Sequence, residues 1–282
     1  MKPFLLMGVV NVTPDSFSDG GLYLDADAAI AHGRRLLAEG ADLLDVGGES
    51  TRPGAQPVTA EEEIRRIQPV VAALAGDGAE VSIDTTKSAV ARAALAAGAT
   101  YVNDVSALRF DPDLAGLVAE SGARCCLMHK RGEPRTMQDD PRYDDVVADV
   151  KAHLEERIAF ATASGIPEER IDVDPGIGFG KTLEHNLELL RRLDEIVALG
   201  RPVVVGTSRK SFLGRLTGRD VGERVPGTIA TNVLALERGA RIFRVHDVAP
   251  VRDALAVASA TLRRWPTTTT WGATSTTGTT TT

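Results

Sequence analysis

Cysteine is scarce in this chain. It occurs twice, as the adjacent Cys125 and Cys126. Both lie in the apolar run ARCCLM, and successive side chains of a strand point to opposite faces, so the two thiols diverge. That excludes a disulfide framework, argues against a metal site and leaves two small core residues in a cytoplasmic protein. A surplus of basic residues is also missing. The net charge of −7 argues against a protein whose main business is binding nucleic acid, because neutralising phosphates needs excess Lys and Arg. A local basic patch for a small phosphorylated ligand remains compatible with it. Long hydrophobic runs are absent too. No stretch approaches the ~18 apolar residues of a membrane helix. The N-terminal MKPFLLMGVVNVTPDS has an apolar segment too short for a signal peptide and no small-residue cleavage site.

What is present is the composition of a globular protein: 282 residues, 43% hydrophobic and 25% charged. A core of that size needs no disulfide or metal staple. Short apolar runs alternate with helical patterns. The expected strands are Leu5 to Val10, Leu43 to Gly47, Val81 to Asp84, Thr100 to Asp104, Arg124 to His129, Ile171 to Asp174, Val203 to Gly206 and Ile242 to His246. They are rich in Val, Ile and Leu without strict alternation, as parallel strands buried on both faces are. Between them, apolar residues fall on helical stripes: Ile64, Ile67, Val71 and Leu74; Val147, Val150, Leu154 and Ala161; Leu183, Leu187, Leu190 and Val197; Val251, Leu255, Ala258 and Leu262. Helices are expected to stop at glycines before the next strand, as at Gly98 and Gly122.

Eight strands, each followed by a helix, is the count of a TIM (β/α)8 barrel, with an open doubly wound sheet as the alternative. The barrel is expected over residues 1–264 as one domain. Residues 265–282, largely threonine, lack the apolar content to offset the entropy of ordering and are expected to be a disordered tail.

The polar residues favour the barrel, because they cluster after strands rather than before them. Asn11 follows the first, Glu49-Ser50-Thr51-Arg52 the second, and Asp84 ends the third. Asn103 and Asp104 end the fourth, His129 the fifth and Asp174 the sixth. Ser208-Arg209-Lys210 follow the seventh; Arg244 and His246 end the eighth. In a barrel all these ends point to one face, where such enzymes keep their active sites. For any one of them alone, a capping or solvated polar group is an equally good reading. Gly20-Gly21 could hinge a lid, and the planar fork of Arg52 suits phosphate. DPGIGFGK (Asp174 to Lys181) has neither the spacing of a Walker loop nor the G-x-G-x-x-G of a dinucleotide site. A carboxylate at that strand end suits a flat heterocycle with adjacent N–H donors.

The segments NVTPDSFSDGG, GGESTRPGA, SIDT, VND, LMH, DPGIGFGK, TSRKS and RVHDV occur in an order and spacing that resemble the dihydropteroate synthase family, over roughly residues 4 to 262. The resemblance implies a barrel that joins a dihydropterin-methyl diphosphate to para-aminobenzoate and expels pyrophosphate, assisted by Mg²⁺. It assigns Asn11 to the metal, and Arg52, Arg244 and His246 with Asn11 to the diphosphate. Asp84, Asn103, Asp174 and Lys210 would bind the pterin between walls of Met128, Phe179 and Gly206. Phe17, Thr51, Pro53 and Ser211 would face para-aminobenzoate. Asp84, Lys210, Arg244 and His246 form the expected catalytic set, acting on small-molecule substrates in a homodimer. No covalent nucleophile is expected, because no Ser or Cys has a His partner recognisable in the sequence. A pterin-dependent methyltransferase would share the Asp and Asn readers but has no need of Thr51-Arg52-Pro53 or Ser208-Arg209-Lys210. A catalytically silent paralogue would have lost some of the diphosphate residues, and all are present.

Overall fold

A computed structural model describes residues 2–13, 22–50, 57–132 and 136–262, with side chains omitted for 22–25. Phe17, Gly20, Gly21, Thr51, Arg52, Pro53 and the threonine-rich tail therefore lie outside the described residues.

The elements alternate along the chain. β1 (Leu5–Asn11), α1 (Leu22–Ala38), β2 (Leu43–Gly47), α2 (Ala60–Gly76), β3 (Val81–Asp84), α3 (Ser88–Ala96), β4 (Tyr101–Asp104) and α4 (Leu114–Ser121) form the first half. β5 (Arg124–Met128), α5 (Val146–Ala163), β6 (Ile171–Asp174), α6 (Leu183–Arg191), α7 (Leu193–Val197), β7 (Val204–Val205), α8 (Ser211–Thr217), α9 (Val225–Glu237), β8 (Ile242–Val245) and α10 (Val248–Leu262) form the second. All pairings are parallel, in the order β6-β5-β4-β3-β2-β1-β8-β7. The seam between β6 and β7 is closed by a bridge between Val173 and Val203, with the Val173 N–H donating to the Pro202 carbonyl at 3.0 Å. The sheet is thus a TIM barrel, not an open doubly wound sheet.

Strand parity divides the core in two. Outward residues such as Leu6, Leu44, Ile83, Val102, Leu127, Val173 and Phe243 pack under the helices in one large cluster. Inward residues Met7, Leu43, Tyr101, Cys126, Val204 and Ile242 fill the barrel as a separate plug. Cys125 belongs to the outer cluster and Cys126 to the plug, so the two thiols do diverge. One step further along five of the inward rows, toward the C-terminal ends of the strands, the side chains are polar or charged. Leu43 gives way to Asp45, Ser82 to Asp84, Tyr101 to Asn103, Asp172 to Asp174, and Ile242 to Arg244. The plug therefore forms the floor of the site.

Local signals set the helix boundaries. Thr59 caps α2 by accepting from the Glu62 N–H, and three glutamates occupy the first turn, where the helix dipole favours them. Asp145 caps α5. Gly122 ends α4 at φ 68°, a left-handed backbone that glycine adopts without steric cost. The stripe through Leu183, Leu187, Leu190 and Val197 reads as one helix but is two. The chain bends at Arg192 (φ −108°, ψ 31°), whose guanidinium meets Asp145 and Glu195 at 3.0 and 2.6 Å. β7 is only two residues long, because Val203 joins the sheet by its single bridge to β6. Leu262, at the foot of the α10 stripe, is exposed.

Candidate active site

The carboxylates and cations foreseen at strand ends come together at one mouth. The register aligns Gly47 with Asp84, Asp84 with Asn103, and Met128 with Asp174 across neighbouring strands. Asp84, Asn103 and Asp174 are buried, as is Met128. From the opposite wall, Arg244 on β8 donates from Nη2 to Asp84 Oδ2 at 2.8 Å and from Nε to Asp45 Oδ2 at 2.6 Å. Asn103 Nδ2 donates to the same Asp45 oxygen at 3.0 Å. Burial pushes the Asp84 carboxyl up to about 7; Arg244 pulls it back, while Asp45, Glu63 and Asp104 push it the same way as burial. Burial opposes the charge on Arg244, but Asp45 and Asp84 overcome it and hold its pKa above the usual value.

The DPGIGFGK loop carries the sixth strand's contribution. Burial raises the Asp174 pKa, opposed by Lys210 and by the Gly176 N–H, which donates to Asp174 Oδ1 at 2.6 Å. The loop is folded back tightly. Gly176 and Gly180 have φ of 67° and 64°, and a Cβ on either would strike the carbonyl oxygen of His129 or Arg131. Only glycine fits there. Asn186 Oδ1 accepts from the Gly178 N–H at 2.6 Å, and the Tyr143 hydroxyl donates to the Gly180 carbonyl at 2.8 Å. Lys181 is buried behind the loop. Its Nζ lies 3.0 Å from His129 Nδ1 and 3.0 Å from the Phe179 carbonyl, and burial lowers its pKa to about 7. His129 thus serves as a partner of this loop, its pKa driven down to about 2 by burial and Lys181.

Lys210 closes the mouth. Its Nζ donates to the Ile177 carbonyl and sits 4.7 Å over the Phe179 ring. Desolvation lowers its pKa to about 8, with Asp174 pulling the other way. Gly206 separates the two cations: a Cβ there would lie 3.7 Å from Lys210 Nζ and 3.9 Å from Arg244 Cβ. The missing side chain leaves a flat slot. Ser211 follows Lys210 as the exposed first residue of α8, and Asn11 ends β1 beside Gly47.

Three features differ from the sequence reading. Ser208 does have a histidine partner: its Oγ lies 3.0 Å from His246 Nδ1 and accepts from the His246 N–H at 3.1 Å. A hydroxyl that grips both ring and backbone orients the imidazole. Arg209 is engaged by Asp247 at 2.5 Å. Asp104, at the end of β4, organises its own turn by accepting from the Ser106 and Leu108 N–H groups at 2.7 and 2.6 Å. Asp45 and Lys181 were not singled out from the sequence. The signal for Asp45 was a carboxylate inside the apolar strand LLDVG.

The profile of the family described as pterin binding enzyme matches residues 7–246. A dihydropteroate synthase of Neisseria meningitidis serogroup C is 48% identical over 254 residues, covering 89% of this chain and 90% of the relative. The dihydropteroate synthase of Xanthomonas albilineans with 4-aminobenzoic acid superposes with a TM-score of 0.86 at 51% identity, over 91% of this chain and 92% of that one. The same enzyme in complex with 7,8-dihydropteroate gives 0.84 at 47% identity, over 93% and 95%. The chain belongs to the pterin-binding enzymes and, among them, to the dihydropteroate synthase family.

Proposed function

We propose that this mouth condenses 6-hydroxymethyl-7,8-dihydropterin diphosphate with para-aminobenzoate to give 7,8-dihydropteroate and pyrophosphate. The observation that carries the reading is the cluster at one mouth of the buried polar groups Asp84, Asn103 and Asp174 with the cations Lys210 and Arg244, beside the space left by the missing side chain of Gly206. A flat heterocycle with several N–H groups satisfies such acceptors, and an anionic leaving group satisfies the cations.

Asp174 and Asn103 hydrogen-bond the pterin, with Met128, Phe179 and Gly206 as walls. Lys210 lies between the two substrates. Arg244 and His246, with Arg52 from outside the described residues, receive the diphosphate. The bond from the pterin methylene to the diphosphate oxygen breaks with its electron pair leaving on pyrophosphate. The cationic methylene that remains is conjugated to the pterin ring, and Asp84 in its ionised form stabilises it. The amine nitrogen of para-aminobenzoate then bonds to that carbon and loses its proton to solvent. Ser211, with Phe17, Thr51 and Pro53, forms the para-aminobenzoate side. His246 is oriented by Ser208 for the diphosphate, and no protein nucleophile enters the scheme.

Mg²⁺ suits the donor set. Asn11 brings one hard amide oxygen at the end of β1, and Mg²⁺ takes one or two protein ligands and the rest from phosphate and water. Asn11 would hold it against the diphosphate, where it supplies charge neutralisation on the leaving group. Assembly as a homodimer and a cytoplasmic location belong to the same proposal. Cys125 and Cys126 as free thiols suit a reducing compartment. Among the described residues no helix is long and apolar enough to cross a membrane.

The test compares binding of the diphosphate substrate with that of the same dihydropterin bearing a plain hydroxymethyl group, with Mg²⁺ and after its removal by chelation. The reading expects the diphosphate to bind more tightly and its advantage to shrink without Mg²⁺. Equal binding of both under both conditions contradicts a diphosphate site.

A further inference from the structure

The mouth rests on a carboxylate that takes no part in the scheme above. Asp45 lies in the middle of β2 and is fully buried. An unpaired carboxylate there would be very costly, and three donors converge on it. Ser82 Oγ donates to Oδ1 at 2.6 Å, while Asn103 Nδ2 and Arg244 Nε donate to Oδ2 at 3.0 and 2.6 Å. Ser82 is the cross-strand neighbour of Asp45 on β3, Asn103 lies one strand further on, and Arg244 comes from β8 on the other side.

Two orientations follow. An amide group can be turned end for end at almost no steric cost, so something else must decide which end points where. An ionised carboxylate only accepts. It therefore draws the NH₂ of Asn103 toward itself and fixes the carbonyl oxygen at the opposite edge. Arg244 is planar, and two bonds from Nε and Nη2 to different carboxylates, Asp45 and Asp84, fix that plane. Both groups that Asp45 holds are ones the proposed reaction uses.

We infer that Asp45 is a positioning residue for pterin recognition, which sets the polarity of the Asn103 amide and the plane of Arg244 without touching either substrate. The inference rests on the reading of this mouth as a pterin site. The competing account makes Asp45 only a brace that ties β2, β3, β4 and β8 together.

Two substitutions separate the accounts. In Asp45→Asn the amide oxygen can take the place of Oδ2 and still accept from Asn103 and Arg244. Its NH₂ then meets Ser82 Oγ, and a hydroxyl can rotate to accept. Asp45→Ala removes every bond. The probe is 6-hydroxymethyl-7,8-dihydropterin, titrated by calorimetry into wild type, Asp45→Ala, Asp45→Asn, Asn103→Ala and the Asp45→Ala/Asn103→Ala double variant, with melting temperature recorded for each. Positioning predicts that Asp45→Ala weakens binding by at least ~10-fold, as expected when a buried donor loses its partner. It predicts that Asp45→Asn returns to within ~3-fold of wild type. It also predicts that the double variant binds like Asn103→Ala alone within ~2-fold, because a probe without diphosphate does not engage Arg244 and reads Asp45 only through Asn103, leaving nothing further to lose once Asn103 is gone. If Asp45→Ala does not fold, Asp45→Ser, which keeps one acceptor, replaces it in the same comparison. The inference is overturned if Asp45→Ala melts lower yet binds the probe like wild type, if Asp45→Asn is as weak as Asp45→Ala, or if the two losses multiply in the double variant. Failure of wild type itself to bind the probe overturns the pterin reading and this inference with it. Weakening in Asn103→Ala without weakening in Asp45→Ala overturns the inference alone.

Discussion

Replacing Arg244 with alanine should cost stability as well as turnover, and the cost should depend on pH. Arg244 is bonded at 2.6 Å to Asp45, which is 0% exposed, and at 2.8 Å to Asp84, which is 8% exposed. Removing one member of a buried ion pair typically destabilises by ~3–5 kcal/mol, since a buried charge is left without a partner. The sign of the pH dependence follows from Asp84. Its folded pKa, about 7, lies above the ~3.9 of an unfolded aspartate. Its contribution to stability is therefore fully present below the unfolded value and is lost as pH rises through about 7. Arg244 is the group that holds that folded value down. Without it the value climbs, and each further unit subtracts ~1.4 kcal/mol at pH above the new value. Urea unfolding of wild type and Arg244→Ala should thus show a deficit near about pH 5, where Asp45 still loses its partner, and a larger one, ~3–5 kcal/mol, near about pH 8.5, where Asp84 adds to it. Adding Asp84→Asn to Arg244→Ala should recover part of the loss at the higher pH. A deficit equal at both pH values within ~0.5 kcal/mol refutes the reasoning. So does an alkaline deficit that Asp84→Asn makes worse.

Two further outcomes follow from the sixth strand and its loop. Asp174→Asn should weaken pterin binding by ~10-fold or more in calorimetry, because an amide turns a donor toward one pterin N–H and leaves a mismatched buried pair; unchanged affinity would sink the assignment. Gly176→Ala puts a methyl against the His129 carbonyl at a left-handed backbone. It should lower stability by at least ~1–2 kcal/mol from the backbone alone and raise KM for the pterin substrate; a variant with wild-type melting temperature and KM contradicts the loop geometry.

The sequence made the barrel and much of its mouth legible because polar and charged residues at the ends of apolar strands are conspicuous. Asp84, Asn103, Asp174 and Arg244 all stood out that way, and parity in the closed barrel turns them inward together. Asp45 did not stand out, because it sits mid-strand, and its role appears only when β8 swings round to bring Arg244 beside it. Lys181 was visible within DPGIGFGK, but its burial comes from a loop that folds back onto His129, a contact 52 residues away in sequence. The Ser208–His246 contact was hidden for the same reason, since adjacent strand ends in a barrel need not be close in the chain. The break between α6 and α7 was hidden by a stripe of apolar residues that continues across it, whereas the bend is set by ion pairs at Arg192.

The central claim is tested most directly by incubating the wild-type protein with 6-hydroxymethyl-7,8-dihydropterin diphosphate, para-aminobenzoate and Mg²⁺, and measuring both products. The account predicts 7,8-dihydropteroate and pyrophosphate formed one for one, with turnover lost when para-aminobenzoate is left out. Absence of dihydropteroate, or pyrophosphate released at the same rate without the arylamine while no dihydropteroate forms, contradicts it.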